Sequence, residues 1–315
     1  MGADMPDIVV FGTINMDYVS FLDHLPEIGE TISTKVFGMF PGGKAANQAV
    51  AASRLGSKVS LIGRVGDDEL GRKLKEHLGK DGVCHDLVQF TPESQTGISM
   101  ICVDKAGRNT IVTHSGASDL WTKQDIDAAE TIINQAKYAM LQIEMDMEIA
   151  RYIITKARLA GVKLVLNLAP VIPIDTELLS MVDYLIVNET EASQLADITV
   201  NSVQTSKAAA QILFERGIQN VIITLGEAGA VLKTATLSRH FQSPKVEVVD
   251  STAAGDCFVA ATTHFLCKEK DLEMAIQKAV EVAALSVTKA GAQTSAPTYD
   301  EYMQFKQKNQ NYVEE

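Results

Sequence analysis

From residue 122 onward the chain repeats one unit, a short apolar run rich in β-branched residues followed by a stretch of helical composition. The runs are YAMLQIE (138–144), KLVLNLAP (163–170), YLIVN (184–188) and NVIITLG (220–226), and the helical stretches fall at 123–136, 147–160 and 203–216. Strands that alternate with helices need right-handed crossovers, which lay the strands parallel and cover both faces of their sheet. This rhythm predicts an α/β fold with three layers around a mostly parallel central sheet.

The rhythm extends upstream. DIVVFG (7–12) and KVSLIGRVG (58–66) predict strands, KAANQAVAASRLG (44–56) an Ala-rich helix stopped by Gly56, and DDELGRKLKEHLGKDG (67–82) an amphipathic helix. Two early segments break the pattern. Residues 15–41 are mixed, with Pro26 and Gly29, and within 95–115 the runs TGISMICV and NTIVTH flank DKAGR, a hairpin signal. Together they predict a small separate β-sheet, placed like a lid. GAVLKTATLSRHFQSPKVEVVD (229–250) predicts antiparallel edge strands, and helices follow at 253–267 and 271–289. With no repeat or linker-like segment, residues 1–315 are expected to form a single α/β domain.

Lys and Arg number 28 against 40 Asp and Glu, a formal charge of −12, which argues against a nucleic-acid or anionic-membrane partner but not against an anionic ligand in a locally positive pocket. No apolar run reaches membrane-spanning length. The start, MGADMPDIVVFG, lacks the basic region and apolar core of a signal peptide, and Pro6 stands where a myristoylation motif needs Ser or Thr. Cys84, Cys102, Cys257 and Cys267 are scattered, and no histidine has zinc-ligand spacing. A cytoplasmic protein with reduced thiols and no zinc is expected.

Open parallel sheets bind ligands beyond the C-terminal ends of their strands. Asn15, Asp17, Glu144, Asn188 and Thr224 all fall at such predicted ends. Each alone suits a cap or turn, but they recur at one edge. GMFPGGKAAN (38–47) nearly matches a phosphate loop, yet Ala45 replaces the Ser or Thr needed for magnesium and no sheet strand precedes it. Gly42 and Gly43 expose backbone to a ligand, and Asn47 offers both a donor and an acceptor to a hydroxyl-bearing one; a tight turn into a helix fits the same residues.

DSTAAGDCF (250–258) is more specific. Ala253, Ala254 and Gly255 would present N–H groups at a helix start, where the helix dipole favours a phosphoryl oxygen and small side chains permit its approach. Asp256, kept ionised by the same dipoles, suits a general base that takes a proton from an alcohol. Asp250 remains free for a cation. An Asp-rich helix cap is the alternative reading.

These stretches, with GTINMD, VGDDELG, LQIE, NLAPV, NETEA, ITLGEAG and SVTKAGAQTSAP, resemble in order the landmarks of the ribokinase branch of the PfkB carbohydrate-kinase family, across residues 7–298. The resemblance implies a ribokinase-like three-layer domain whose small β-sheet lid, about 15–41 and 95–115, also forms a homodimer interface. It implies ATP-dependent phosphorylation of a sugar hydroxyl, D-ribose to D-ribose 5-phosphate. Asp256 matches the catalytic base, and Ala253, Ala254 and Gly255 the anion hole. Asn15, Asp17, Gly43, Lys44, Asn47 and Glu144 match the sugar site, with Asp256 beside them. Asn188, Thr224, Gly226, Gly229 and Gly255 match nucleotide-binding positions. Asn188 and Glu191 match the pair that organises Mg2+, mainly through water. Asp250, Thr252, Ser286, Lys289, Gly291 and Ser295 match a loop for a monovalent cation, usually K+.

Two positions depart from the family. Ala45 stands where ribokinases carry glycine, adding a methyl group beside the sugar loop, and Val280 replaces a residue often polar near the adenine. An amide at Asn15 favours ribose over 2-deoxyribose, because it would lose a partner where a hydroxyl is missing. The alternatives are a kinase of 2-deoxyribose, another sugar or a nucleoside, the last accommodated by Met16, Ile98 and Met100, and a non-catalytic sugar or nucleotide sensor.

Overall fold

The computed structural model describes residues 5–311 other than 107 and 270, so the Met-Gly start and Gly107 of the DKAGR turn lie outside the described residues. Its strands are β1 (Ile8–Phe11), β2 (Asn15–Phe21), β3 (Val36–Gly42), β4 (Val59–Gly66), β5 (Val88–Thr91), β6 (Gly97–Val103), β7 (Asn109–His114), β8 (Tyr138–Gln142), β9 (Lys163–Asn167), β10 (Tyr184–Asn188), β11 (Val221–Thr224), β12 (Ala230–Lys233) and β13 (Ser238–Phe241). Its α-helices are α1 (Lys44–Arg54), α2 (Glu69–Lys80), α3 (Lys123–Ala128), α4 (Glu130–Gln135), α5 (Met147–Leu159), α6 (Thr176–Ser180), α7 (Glu189–Ala196), α8 (Val203–Glu215), α9 (Ala254–Glu269), α10 (Leu272–Ser286) and α11 (Tyr299–Asn311).

Nine strands form the large sheet, ordered β13-β12-β11-β10-β9-β8-β1-β4-β5. All neighbours from β5 to β11 pair in parallel, and β12 and β13 close the other edge antiparallel. Ile8 and Val10 pack with α1, α9 and α10, whereas Val9 and Phe11 pack with α3, α5 and α8. Burial on both faces is why these strands read as unbroken apolar runs rather than alternating ones. The order reverses at β1: the chain proceeds to β4 on one side and later crosses to β8 on the other. The crevice of such a sheet opens beyond the C-terminal ends of those two strands.

The small sheet is ordered β3-β2-β6-β7 and is rooted beside that crevice, with Asn15 opposite Gly42 on one side and Gly97 on the other. Asp68 fastens the root. It caps α2 by accepting from Gly71 N at 2.8 Å, and it accepts from Thr96 N at 2.7 Å and Thr96 Oγ1 at 2.6 Å.

The structure departs from expectation in detail. β5, α6, α7 and α11 were not predicted, and the helix expected over 123–136 breaks at Ala129. Only Ser238–Phe241 of the predicted second edge strand joins the sheet, while Val248 and Val249 are 60% and 62% exposed. Pro244 lacks the N–H a ladder needs, and the N–H groups of Val249 and Asp250 bond instead to Val287 O. Among the described residues no helix is long and apolar enough to cross a membrane.

Candidate active site

The glycine pair before α1 is required by close approach. Gly43 has φ +89°, and a Cβ there would lie 2.5 Å from Thr13 O and 2.8 Å from Asn15 N. A Cβ on Gly42 would lie 2.2 Å from Asp17 Oδ2. Only backbone without side chains lets the helix start this close to the chain leaving β1. The turn and the exposed loop read from the sequence are thus the same object, and it brings Thr13, Asn15, Asp17 and α1 together.

Helix α1 then points side chains across the cleft. Lys44 Nζ pairs with Glu144 Oε1 at 2.5 Å, and Thr13 Oγ1 donates to Glu144 Oε2 at 2.6 Å. Asn47 Nδ2 donates to Asp256 Oδ2 at 3.0 Å, and Gln48 Nε2 donates to Asp256 Oδ1 at 3.0 Å. The glycine turn and the start of α9, more than 200 residues apart in sequence, therefore share one hydrogen-bonded site.

At the start of α9, Ala253 adopts φ +59°, in the left-handed region, which turns the chain sharply into the helix. Ala254 N makes only a long bond, 3.3 Å, to Ser251 O. First-turn N–H groups lack intrahelical acceptors, and a Cβ on Gly255 would meet nothing within 4 Å. A cavity of about 220 Å³ opens here, its wall including Lys44, Asn188, Glu191, Thr224, Gly255 and Asp256. A larger groove of about 350 Å³ beside Ile172 and Leu195 has Arg216 on its wall and no carboxylate, and that guanidinium is committed to Leu195 O.

Burial pushes the Asp256 carboxyl up to about 6, against the lowering effects of Asn47, Gln48 and Lys44. The helix dipole thus does not by itself keep this group fully ionised, as the sequence suggested; dense surroundings outweigh it. Burial likewise raises Asp17 to about 6, opposed by Ser99 and Lys44. Burial pushes the Lys44 ammonium down, but its pairing with Glu144 prevails and holds it above the ordinary lysine range.

Asn188 and Glu191 cap α7 reciprocally: Asn188 Oδ1 accepts from Glu191 N at 2.9 Å, and Glu191 Oε2 accepts from Asn188 N at 2.8 Å. Burial raises the Glu191 carboxyl, against its bond from Asn188 and the charge of Lys44, so a cation there would relieve it. Among the described residues no group of three or more His, Cys, Asp or Glu forms a ready metal cage. Thr224 is half-buried on the cavity wall. Gly226 and Gly229 lie in the turn after β11, where a Cβ on Gly229 would fall 2.0 Å from Phe241 O; chain packing alone requires that glycine.

Asp250 holds the C-terminal loop, accepting from Thr252 N at 2.9 Å and Gly291 N at 2.8 Å, and these bonds keep its carboxyl low despite burial. The side chains of Ser286, Lys289 and Ser295 are engaged elsewhere, with Ala283 O, Glu301 and Ala292 O. Any role of theirs toward a cation falls to backbone carbonyls.

Sequence reasoning missed Thr13, Gln48, Gln142 and Asn167. Ala45 is fully buried, its Cβ facing Gly12, so its methyl group enters the core. Val280 is buried in the same core cluster. Asn15 Oδ1 and Asn47 Oδ1 are buried acceptors without a hydrogen-bond partner. Such atoms cost about 1–3 kcal/mol each unless a ligand hydroxyl satisfies them.

The family profile of pfkB family carbohydrate kinases matches residues 5–299. The chain is 36% identical over 298 residues to the ribokinase of Haemophilus influenzae, covering 95% of this chain and 97% of that protein. It is 32% identical over 300 residues to the deoxyribokinase of Salmonella typhi, covering 95% and 98%. Arabidopsis thaliana ribokinase, solved with ribose and ATP, superposes with a TM-score of 0.89 at 30% identity over 96% of this chain and 99% of that one.

Proposed function

This chain belongs to the pfkB family of carbohydrate kinases, and from that premise we propose that it transfers the γ-phosphoryl group of ATP to the 5-hydroxyl of D-ribose, giving D-ribose 5-phosphate. The observation that carries this reading is the placement of Asp256. Its carboxylate sits at a helix start on the cavity wall, with each oxygen held by an amide of α1, and titrates near 6. Such a group is ionised at neutral pH yet basic enough to take a proton from an alcohol as it attacks phosphorus.

The remaining residues take roles that suit their chemistry. Asn15, Asp17, Gly43, Asn47 and Glu144 surround the sugar, and the unpartnered oxygens of Asn15 and Asn47 accept from its hydroxyls. The first-turn N–H groups of Ala253, Ala254 and Gly255 face the phosphoryl oxygens as charge develops. Lys44 brings a cation to the same wall. Thr224 and the turn at Gly226 and Gly229 border the nucleotide. Mg2+, when bound, neutralises phosphate charge; Asn188 and Glu191 fit its water shell, because capping uses only one oxygen of Glu191. Asp250 fits the anchor of a K+ loop formed by carbonyls near Thr252, Ser286, Lys289, Gly291 and Ser295.

The small sheet acts as a lid over the sugar and excludes water on closing. One face of this sheet bears Phe37, Met100 and Val112, each more than half exposed, which supports a homodimer formed through the lid. All four cysteines are free thiols, which fits a reducing, cytoplasmic setting.

A second reading, phosphorylation of 2-deoxyribose, is favoured by the deoxyribokinase similarity. ADP release measured with ribose, 2-deoxyribose, other sugars and nucleosides, with and without K+, decides between them. Ribose should give the highest kcat/KM, with K+ increasing it. A higher value for 2-deoxyribose or a nucleoside reverses the order, and ribose binding without any ADP release points to a sensor.

A further inference from the structure

Behind Asp256 runs a chain of buried amides that phosphoryl transfer itself leaves without a task. Gln48 and Gln142 are fully buried, and Asn167 is 9% exposed. Asn167 Nδ2 donates to Ile186 O at 3.1 Å, and Gln48 Nε2 donates to Asn167 Oδ1 at 3.1 Å and to Asp256 Oδ1 at 3.0 Å. Gln142 Nε2 donates to Gln48 Oε1.

The order of donors is forced. A backbone carbonyl can only accept, so Ile186 O requires the NH2 of Asn167 and turns Asn167 Oδ1 toward Gln48. Gln48 must then present its own NH2 there, and its second N–H falls on Asp256. Its oxygen is left facing Gln142, which donates. Orientation thus passes from β10 through β9 and α1 to the carboxylate, without any freely rotating hydroxyl in between.

We propose that Gln48 is the positioning residue for Asp256: it binds Oδ1 on the core side and leaves Oδ2, shared with Asn47, as the oxygen that receives the sugar proton. This rests on Asp256 being the base. Asn47 touches the sugar as well as Asp256, whereas Gln48, with no exposed surface, acts only through the carboxylate and its neighbours. The ionisable groups facing Asp256 are Lys44 on α1, Glu144 after β8, Glu191 across the cavity, and Cys257, whose thiol is pushed up to about 12 and stays neutral. None of these changes when Gln48 is replaced.

The test is Gln48→Met, which keeps length and approximate volume but removes both donors. Its kcat should fall roughly tenfold or more, as expected for a misaimed catalytic group, with sugar KM changed less than about threefold. The acid limb of kcat against pH should move up by about half a unit or more, because a bond to the ionised form is lost. Gln48→Leu, which also removes both donors and adds no ionisable group, should shift both readouts in the same direction and answers the question if the Met variant does not fold. A folded variant with kcat within about threefold of wild type, or a loss of kcat with the acid limb unmoved, overturns the proposal. Asp256→Asn measured alongside separates the two claims. Near-normal turnover there removes the base itself, whereas an inactive Asp256→Asn beside an unaffected Gln48→Met overturns only the positioning role.

Discussion

Replacing Asp256 by Asn keeps the side chain's shape and removes its basicity. General-base assistance is worth roughly 10²–10⁴-fold, so kcat should fall at least about 100-fold, near 2.7 kcal/mol in the barrier. Two opposing changes set the variant's stability. The native carboxyl is displaced from 3.8 to about 6, which places about 3 kcal/mol against its ionised form in the folded protein; the amide escapes that cost. Asn offers only one acceptor, however, to the two donors Asn47 Nδ2 and Gln48 Nε2. The unmatched donor costs about 1–3 kcal/mol. The terms nearly cancel, so the folded state should survive. They also differ in pH dependence. A folded carboxyl raised above its unfolded value destabilises increasingly as the pH rises from 3.8 to about 6 and fully above that, and that penalty is absent below 3.8. The variant's Tm relative to wild type should therefore be higher at pH 7.5 than at pH 4. The assays are steady-state ADP release and thermal melts at the two pH values. Near-normal turnover, or inactivity that simply tracks unfolding, would refute the reasoning.

Burial pushes the Asp17 and Asp256 carboxyls both up to about 6; in the proposed reaction Asp256 acts as an ionised base and Asp17 as an ionised acceptor for a sugar hydroxyl, so kcat/KM should climb with pH through about 6, more steeply than for a single proton. An acid limb below 5, in the ordinary carboxylate range, contradicts this. Asn15→Ala should lower the ratio of kcat/KM for ribose over 2-deoxyribose by roughly 5–100-fold, the value of one hydroxyl partner; an unchanged ratio in the competition assay assigns discrimination elsewhere. Phe37→Lys combined with Val112→Lys, at positions 55% and 60% exposed, should yield monomers in sedimentation velocity where the wild type sediments as a dimer. A wild-type monomer, or an unaffected dimer, removes the lid interface.

The layers were legible because buried parallel strands and covering helices write their periods directly into the sequence. Short elements were not. β5 has four residues, VQFT, too few to establish a period, and α6 has five. α7 was present as a capping signal, because Asn188 and Glu191 have the spacing of reciprocal caps, but the pair was read for its metal role alone. The KVEVV stretch alternates like a strand, yet its end bonds to Val287 O rather than to a strand and it stays outside the sheet. Within the site, Asn47 and Asp256 could be picked out because each sits in a segment of small residues, GGKAAN or DSTAAGD, with few alternatives. Gln48, Gln142 and Asn167 could not. An amide amid alanines carries no pattern, and its partners lie 94, 119 and 208 residues away, so only the folded chain reveals them.

The most direct test is a crystal structure with ribose, ADP, Mg2+ and a fluoride mimic of the phosphoryl group in flight. The 5-oxygen of the sugar should lie about 3 Å from Asp256, in line with the mimic, whose oxygen-like ligands face the N–H groups of Ala254 and Gly255. A sugar bound with that oxygen beyond about 5 Å from the carboxylate, with another base at hydrogen-bond distance, would contradict the assignment.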